Sequence, residues 1–275
     1  MKKLAVFILF CLFGFFSTNA KTYQILFVGN SYTYRNHMPR MFEKIAISNG
    51  KNVKVYWNTK GKTSFFGHSK RKELFQAIRW KKWDYVLLQG SSRDMLKEPK
   101  IFFSQTIPGL KKIIYAIHTN HPKTKILFYM TWGYKRGYGK IQHAKNFHVM
   151  THSVRKGYEY LSHQMNVPIV PVGVAWIHHK KAYKTELHHP DGAHPNEHGS
   201  YLAACCFYTS IFKEEIKIHP RLFNVKSQQK LGNTAFETVS NYDYSTFHFE
   251  ETRKRSVAPL PSFWRTSFFF IKNEY

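Results

Sequence analysis

From residue 21 onward, short apolar runs alternate with longer segments whose apolar positions recur every three or four residues. Tyr23 to Val28 (Tyr-Gln-Ile-Leu-Phe-Val) reads as a first strand. Met38 to Ser48 carries Met38, Met41, Phe42, Ile45 and Ala46 at helical spacing, which predicts a helix. Val53 to Trp57 reads as a second strand, Lys70 to Trp80 as a basic amphipathic helix and Asp84 to Gln89 as a buried strand. Phe102 to His118 reads as helix with a break near Pro108-Gly109, and Lys125 to Trp132 as a strand. Ile141 to Met165 follows as a long helix, Val167 to Val174 as a fifth strand despite two prolines, and Asn196 to Phe212 as a final helix. Five strands interleaved with helices predict an α/β fold: a mainly parallel five-stranded sheet covered on both faces. Such sheets place their chemistry in the loops after the carboxyl ends of the strands.

Beyond about Lys213 the periodicity weakens and polar pairs such as Gln228-Gln229 and Asn233-Thr234 appear. Pro259-Leu260-Pro261 marks a break before the aromatic stretch Phe263 to Ile271, which reads either as an extra strand or hairpin packed on the core or as a membrane-facing or partner-binding tail. The expected division is a leader over 1–20, a catalytic-type domain over 21–215 and a C-terminal extension over 216–275. No internal repeat is visible.

The leader follows from three features in order. Met1-Lys2-Lys3 is positive, Leu4 to Phe16 is almost wholly apolar, and Ser17-Thr18-Asn19-Ala20 places small residues before a cut. This is the pattern of a secretory signal, and the apolar run is short for a membrane span. The chain is therefore expected to be exported, periplasmic or secreted; an uncleaved anchor is the alternative. Cys11 sits inside the apolar run, without small residues just before it, so a lipoprotein cut there is not expected. Cleavage leaves Cys205 and Cys206, which are adjacent. Neighbouring Cα atoms stand about 3.8 Å apart, below the usual disulfide window, so a packed core rather than a disulfide must hold the exported chain.

Composition narrows the class. The chain of 275 residues has 42 Lys or Arg against 16 Asp or Glu, a formal charge of +26. Yet 43% of its residues are hydrophobic and 17% aromatic, which excludes a disordered polycation. Such charge attracts polyanions in general. The basic clusters are short, Lys70-Arg71-Lys72 and Lys81-Lys82 between Trp80 and Trp83, and no nucleic-acid motif accompanies them. Anionic envelope lipid or acidic polysaccharide is the expected polyanion, and nucleic acid is not.

Two segments carry candidate chemistry. Gly29-Asn30-Ser31-Tyr32-Thr33 directly follows the first strand, so Ser31 is presented on a turn beside backbone N–H groups. The segment is not a G-x-S-x-G elbow, since position 33 is Thr, and a plain turn is the simpler reading of it alone. The second segment is His189-Pro190-Asp191-Gly192-Ala193-His194-Pro195-Asn196. Its spacing lets Asp191 hold one ring nitrogen of His194 while the other faces outward, as a base that activates a serine must.

Together the two segments resemble the SGNH hydrolases, the GDSL-type esterase and lipase superfamily, in a variant whose first block reads Gly-Asn-Ser. Val28 to Thr33 matches the first block, and Asp191 to Pro195 followed by a helix matches the last, Asp-x-x-His-Pro. The resemblance covers roughly Tyr23 to Phe212. It implies a flavodoxin-like three-layer sandwich and acyl transfer by Ser31, His194 and Asp191, with no cofactor and no metal. It also implies an oxyanion hole made by the N–H of Ser31 and of a second-block glycine, for which Gly61 is the counterpart and Gly67 the fallback. The third block normally supplies an asparagine donor. Here the segment is Gln89-Gly90-Ser91-Ser92-Arg93-Asp94, so either Gln89 or Ser92 would have to donate. Tyr32 and Trp132 are candidates to line the substrate pocket; for Trp132 an aromatic cap on the sheet edge is the alternative.

The expected function is an exported serine esterase acting on an O-acyl ester, an acetyl-saccharide or a lipid ester. Two rivals remain. His188, His189, His194 and His198 crowd around Asp191 as in a metal-dependent hydrolase, though no HExxH pattern appears. A non-catalytic envelope protein on the same fold, binding anionic glycan or lipid, is the other.

Overall fold

The computed structural model describes residues 21–139 and 141–243. The leader and the aromatic stretch Phe263 to Ile271 lie outside the described residues. Five strands form one sheet: β1 (Tyr23–Gly29), β2 (Val53–Thr59), β3 (Tyr85–Leu88), β4 (Lys125–Tyr129) and β5 (Ile169–Val170). The order is β2-β1-β3-β4-β5 and every pairing is parallel. This is the flavodoxin-like order, in which the chain winds one way to β2 and then the other way from β3.

Alternation along β1 builds both faces. Ile25 and Phe27 join one buried cluster, while Leu26 and Val28 join the other. The first face is covered by α1 (Met38–Ser48), α5 (Val172–Tyr183), α6 (Glu197–Phe212) and α7 (Val225–Ser240), and the second by α2 (Lys72–Trp80), α3 (Ile107–Asn120) and α4 (Phe147–Met165). Helix α6 is apolar all round because it is buried all round, between the sheet and α7, and it holds Cys205 and Cys206 as free buried thiols. Burial pushes both thiols up, which keeps them protonated and inert. Among the described residues no helix is long and apolar enough to cross a membrane.

Several expectations change: the long helix expected from Ile141 starts at Phe147, and the helix through Pro108-Gly109 runs unbroken from Ile107 to Asn120. The segment Val167 to Val174 is not one strand: pairing stops at Val170, and α5 begins at Val172 after Pro171. Its β-branched residues suggested a strand, but Pro171 cannot continue a ladder, and Ala175, Trp176 and His179 bury a helical face instead. Beyond residue 215 the chain forms α7, whose Leu231, Ala235 and Val239 pack into the first-face core. Ring nitrogens of His178 and His179 share hydrogen bonds with Thr238 and Thr234 at 3.0 and 2.9 Å, fastening it to α5. This helix was missed because its buried face is partly polar, with Gln228, Thr234 and Thr238 turned inward beside few apolar positions.

Candidate active site

The reversal of strand order between β1 and β3 opens a crevice at their carboxyl ends, and Ser31 stands there. The last residue of β1 is glycine, and a Cβ at Gly29 would collide with Thr33 Oγ1 and Gln89 Oε1. Asn30 then caps the short helical turn Ser31–Tyr34. Its Oδ1 accepts from the Tyr32 N–H at 3.1 Å, and its Nδ2 donates to the Thr63 carbonyl at 3.1 Å. The asparagine thus does two jobs with two different atoms: it starts the turn, and it ties the loop after β2 to that turn. Lys60 N–H donates to Gly29 O at 3.0 Å and adds a second tie. The N–H groups of Ser31 and Gly61 have no hydrogen-bond partner among the described residues.

Ser31 Oγ lies 2.8 Å from His194 Nε2, across 163 residues of sequence. His194 Nδ1 lies 2.8 Å from Asp191 Oδ2. Asp191 Oδ1 accepts from the N–H groups of Ala193 and His194, each at 2.9 Å. Burial raises the Asp191 carboxyl, but these two N–H groups and the His194 ring outweigh it and hold the carboxyl well below the usual range. The carboxylate is therefore charged and fixed, so the imidazole carries its proton on Nδ1 and offers a lone pair at Nε2 to the serine hydroxyl. His189 Nδ1 at 3.0 Å and Arg35 at 3.6 Å also face Asp191 Oδ2.

The loop that carries Asp191 and His194 is held from several sides. Gly192 sits at φ +75°, a left-handed position that suits glycine. Its carbonyl accepts from Lys135 N–H at 2.7 Å, and the Ala193 carbonyl accepts from the Trp132 indole at 3.1 Å. Asn36 bridges the two halves of the site, with its Nδ2 on Pro195 O at 3.1 Å and on Ser200 Oγ at 2.9 Å. His188 is buried beneath, with Nε2 on Gly133 O at 3.0 Å and Nδ1 facing Glu186 at 3.2 Å. Sequence reasoning did not single out Asn36 or Arg35, because neither belongs to a motif and only the packing of two loops brings them to the site.

The remaining expected residues fall elsewhere. Gln89 is buried with its amide committed: Oε1 accepts from Asn30 N–H at 2.8 Å and Thr33 Oγ1 at 2.9 Å, and Nε2 donates to Gly90 O. Ser92 is buried too, and its hydroxyl donates to Trp132 O and shares a bond with Thr131, both at 2.9 Å. Both side chains therefore brace the Ser31 turn and its neighbours rather than stand free as oxyanion donors. The Gly67 N–H is taken by Ser64 Oγ at 3.0 Å, which removes the fallback. Trp132 is fully buried between Tyr32 at 4.8 Å and Trp176 at 3.7 Å, in a stack of three rings. It floors the site beneath Tyr32. Tyr32 is also buried but turns its ring edge-on to His194 at 5.6 Å. Among the described residues no three His, Cys, Asp or Glu side chains are grouped so as to hold a metal ion. His198 instead packs on Phe223. A hollow of about 290 Å³ opens beside the triad, bordered by Tyr134, Arg136, Asp191 and Ala193.

Solved structures share this architecture. A DUF4886 family protein from Bacteroides uniformis matches 80% of this chain and 96% of its own at 16% identity, with a TM-score of 0.66. A carbohydrate esterase family 3 protein from Talaromyces cellulolyticus matches 70% and 97% at 14% identity, with a TM-score of 0.52. A catalytic mutant of an acetylxylan esterase from Geobacillus stearothermophilus matches 69% and 94% at 13% identity, also at 0.52. The fold is that of the SGNH hydrolases. No protein-family model and no curated protein matches the chain. Within the SGNH fold, the Gly-Asn-Ser block of this chain sits at the end of β1, and the Asp-x-x-His-Pro block leads into α6.

Proposed function

We propose that this chain is an exported serine ester hydrolase that uses Ser31, His194 and Asp191. The observation that carries the reading is the unbroken line of two 2.8 Å contacts from Ser31 Oγ through His194 to Asp191. In the reaction, Ser31 Oγ attacks the ester carbonyl carbon as His194 Nε2 takes the hydroxyl proton. Asp191 keeps the ring oriented and stabilises the imidazolium. The tetrahedral oxyanion is held by the N–H groups of Ser31 and Gly61. His194 then gives its proton to the leaving alcohol, and water, activated by the same ring, releases the acid and restores Ser31. The substrate is an O-acyl ester. The likeness in fold to two carbohydrate esterases supports an acetylated saccharide over a lipid ester. Export rests on the leader of residues 1–20.

The test is hydrolysis of p-nitrophenyl acetate and longer acyl esters by the chain from residue 21, alongside Ser31→Ala. Activity should vanish in the variant, and a fluorophosphonate should label Ser31 in the parent but not in His194→Ala. Hydrolysis that survives Ser31→Ala removes the nucleophile. A second reading, a non-catalytic binding protein, draws on the inward turn of Gln89, which leaves two oxyanion donors in place of three; an inert and unlabelled parent would favour it.

A further inference from the structure

The free edge of the sheet carries an aromatic groove that the triad does not use. Strand β2 is outermost in the sheet. Beside it lies a cavity of about 300 Å³ lined by Leu26, Arg40, Tyr56, Trp57, Trp80 and Trp83. Two of its indoles face water: Trp57 is 41% exposed and Trp80 is 63% exposed. Solvent-exposed indoles forgo a large burial gain, and clustered in a concavity they mark a binding site. Trp57 stands on the first face of β2, beside Phe27, and Trp80 on the second, where it rests on a rigid base. Buried Trp83 meets Tyr56 at 5.3 Å and Trp80 at 6.3 Å, and Tyr56 meets Trp80 at 5.2 Å.

The groove is cationic as well. The Lys81 ammonium lies 4.4 Å from the Trp80 ring centre, while Arg40, 5.1 Å from that of Trp57, is already paired with Glu43. Lys54 and Lys60 on and just beyond β2 are exposed, and neither has a carboxylate partner among the described residues. The apolar faces of pyranose rings stack on indoles, and carboxylate or sulfate substituents suit ammonium groups. Position adds a further argument. Trp57 pairs with Phe27, two residues or about 7 Å before Gly29 along β1. Strand β2 then runs into the Lys60–Thr63 loop that carries Gly61 and touches the Ser31 turn.

We propose that this edge is a subsite for an acidic polysaccharide. The glycan straddles the β2 edge, with sugar faces on Trp57 at one side and Trp80 at the other and its charges on Lys54, Lys60 and Lys81. Its acylated unit reaches Ser31. That final clause rests on the ester-hydrolase reading; binding at the edge does not.

The experiment titrates oligogalacturonates into the chain from residue 21 by calorimetry and by indole fluorescence, with neutral cello-oligosaccharides of equal length and phosphatidylglycerol vesicles as the other arms. Oligogalacturonate should bind, quench fluorescence and weaken as salt rises. The neutral oligomer should bind less tightly. Trp80→Ala, checked for parental melting temperature, should weaken the complex about tenfold, and Trp57→Ala about as much. Equal affinity of Trp80→Ala and parent overturns the proposal. So does binding to vesicles alone, or self-association that Trp80→Ala abolishes. In turnover of acetylated oligogalacturonate, Trp80→Ala should raise KM about tenfold and leave p-nitrophenyl acetate hydrolysis unchanged. A parent inert toward p-nitrophenyl acetate that still binds oligogalacturonate through Trp80 would sink the esterase reading and keep the subsite.

Discussion

Replacing Asn30 by aspartate restores the Gly-Asp-Ser spelling of the first block, and the structure says it should harm this protein. Asn30 is buried, its Oδ1 holding the Tyr32 N–H and its Nδ2 holding the Thr63 carbonyl. Aspartate keeps the first contact and turns the second into two opposed oxygens. The lost hydrogen bond costs about 1 kcal/mol net, and the unsatisfied buried oxygens add about 1–3 kcal/mol. A carboxylate at the start of a helical turn returns about 0.3–1 kcal/mol. The balance is a loss of about 1–4 kcal/mol, concentrated on the tie between the Ser31 turn and the loop of Gly61. If that loop moves away, one oxyanion donor goes with it, and kcat for p-nitrophenyl acetate should fall by about 10²-fold. Urea unfolding at neutral pH measures the stability term. The same measurement in mild acid supplies a control, since the introduced carboxyl, once protonated, could again donate to Thr63 O. The deficit should shrink as pH falls. An Asn30→Asp variant with full activity and parental stability, or a deficit that ignores pH, refutes the account of why this chain has asparagine there.

Other outcomes follow from the same contacts. Gln89→Glu keeps the acceptor that serves Asn30 and Thr33 but sets an oxygen against Gly90 O, so it should cost about 1–3 kcal/mol in denaturant titration while the folded enzyme keeps much of the parent kcat; a loss above about 10³-fold would return Gln89 to the oxyanion hole. Asp191→Asn should lower kcat by about 10³–10⁴-fold with little change in melting temperature, because it disturbs the His194 tautomer while the half-exposed loop keeps its backbone ties. Gly29→Ala should destabilise the chain by at least about 2 kcal/mol in denaturant titration, since its Cβ would collide with Thr33 and Gln89. Burial, helped by Arg71 beside His68 and by His198 beside His179, pulls both histidines down to about 4. The unfolded chain takes up those protons near pH 6.5, so stability is full above that value and falls as pH drops toward 4, by up to about 3 kcal/mol per residue. Melting curves of His179→Gln should show a shallower acid decline than the parent, and an equal slope would refute the assignment.

Local pattern was enough for most of the elements. The alternation in Tyr23 to Val28 and the three-to-four spacing in Met38 to Ser48 each report which side of one segment meets the core, and that demand is met within the segment itself. The same holds for the two short blocks: Asn30 caps its own turn, and Asp191 binds the N–H groups of its own loop, so both geometries are encoded within a few residues. Where local chemistry pointed two ways, tertiary packing chose. Val172 to Val174 has strand-forming residues, yet they begin a helix because Pro171 closes the ladder and α5 buries Trp176 against Trp132. Gln89 could donate or accept, and its Oε1 accepts because the buried Asn30 N–H and Thr33 hydroxyl, more than fifty residues earlier in the chain, face it. The meeting of Ser31 with His194 across 163 residues was decided by the winding of the sheet, which opens its crevice beside β1 and sets α6 behind it. Propensity acts over a turn or two of chain, whereas the distance between two loops is a property of how strands are ordered, and no short window of sequence contains that order.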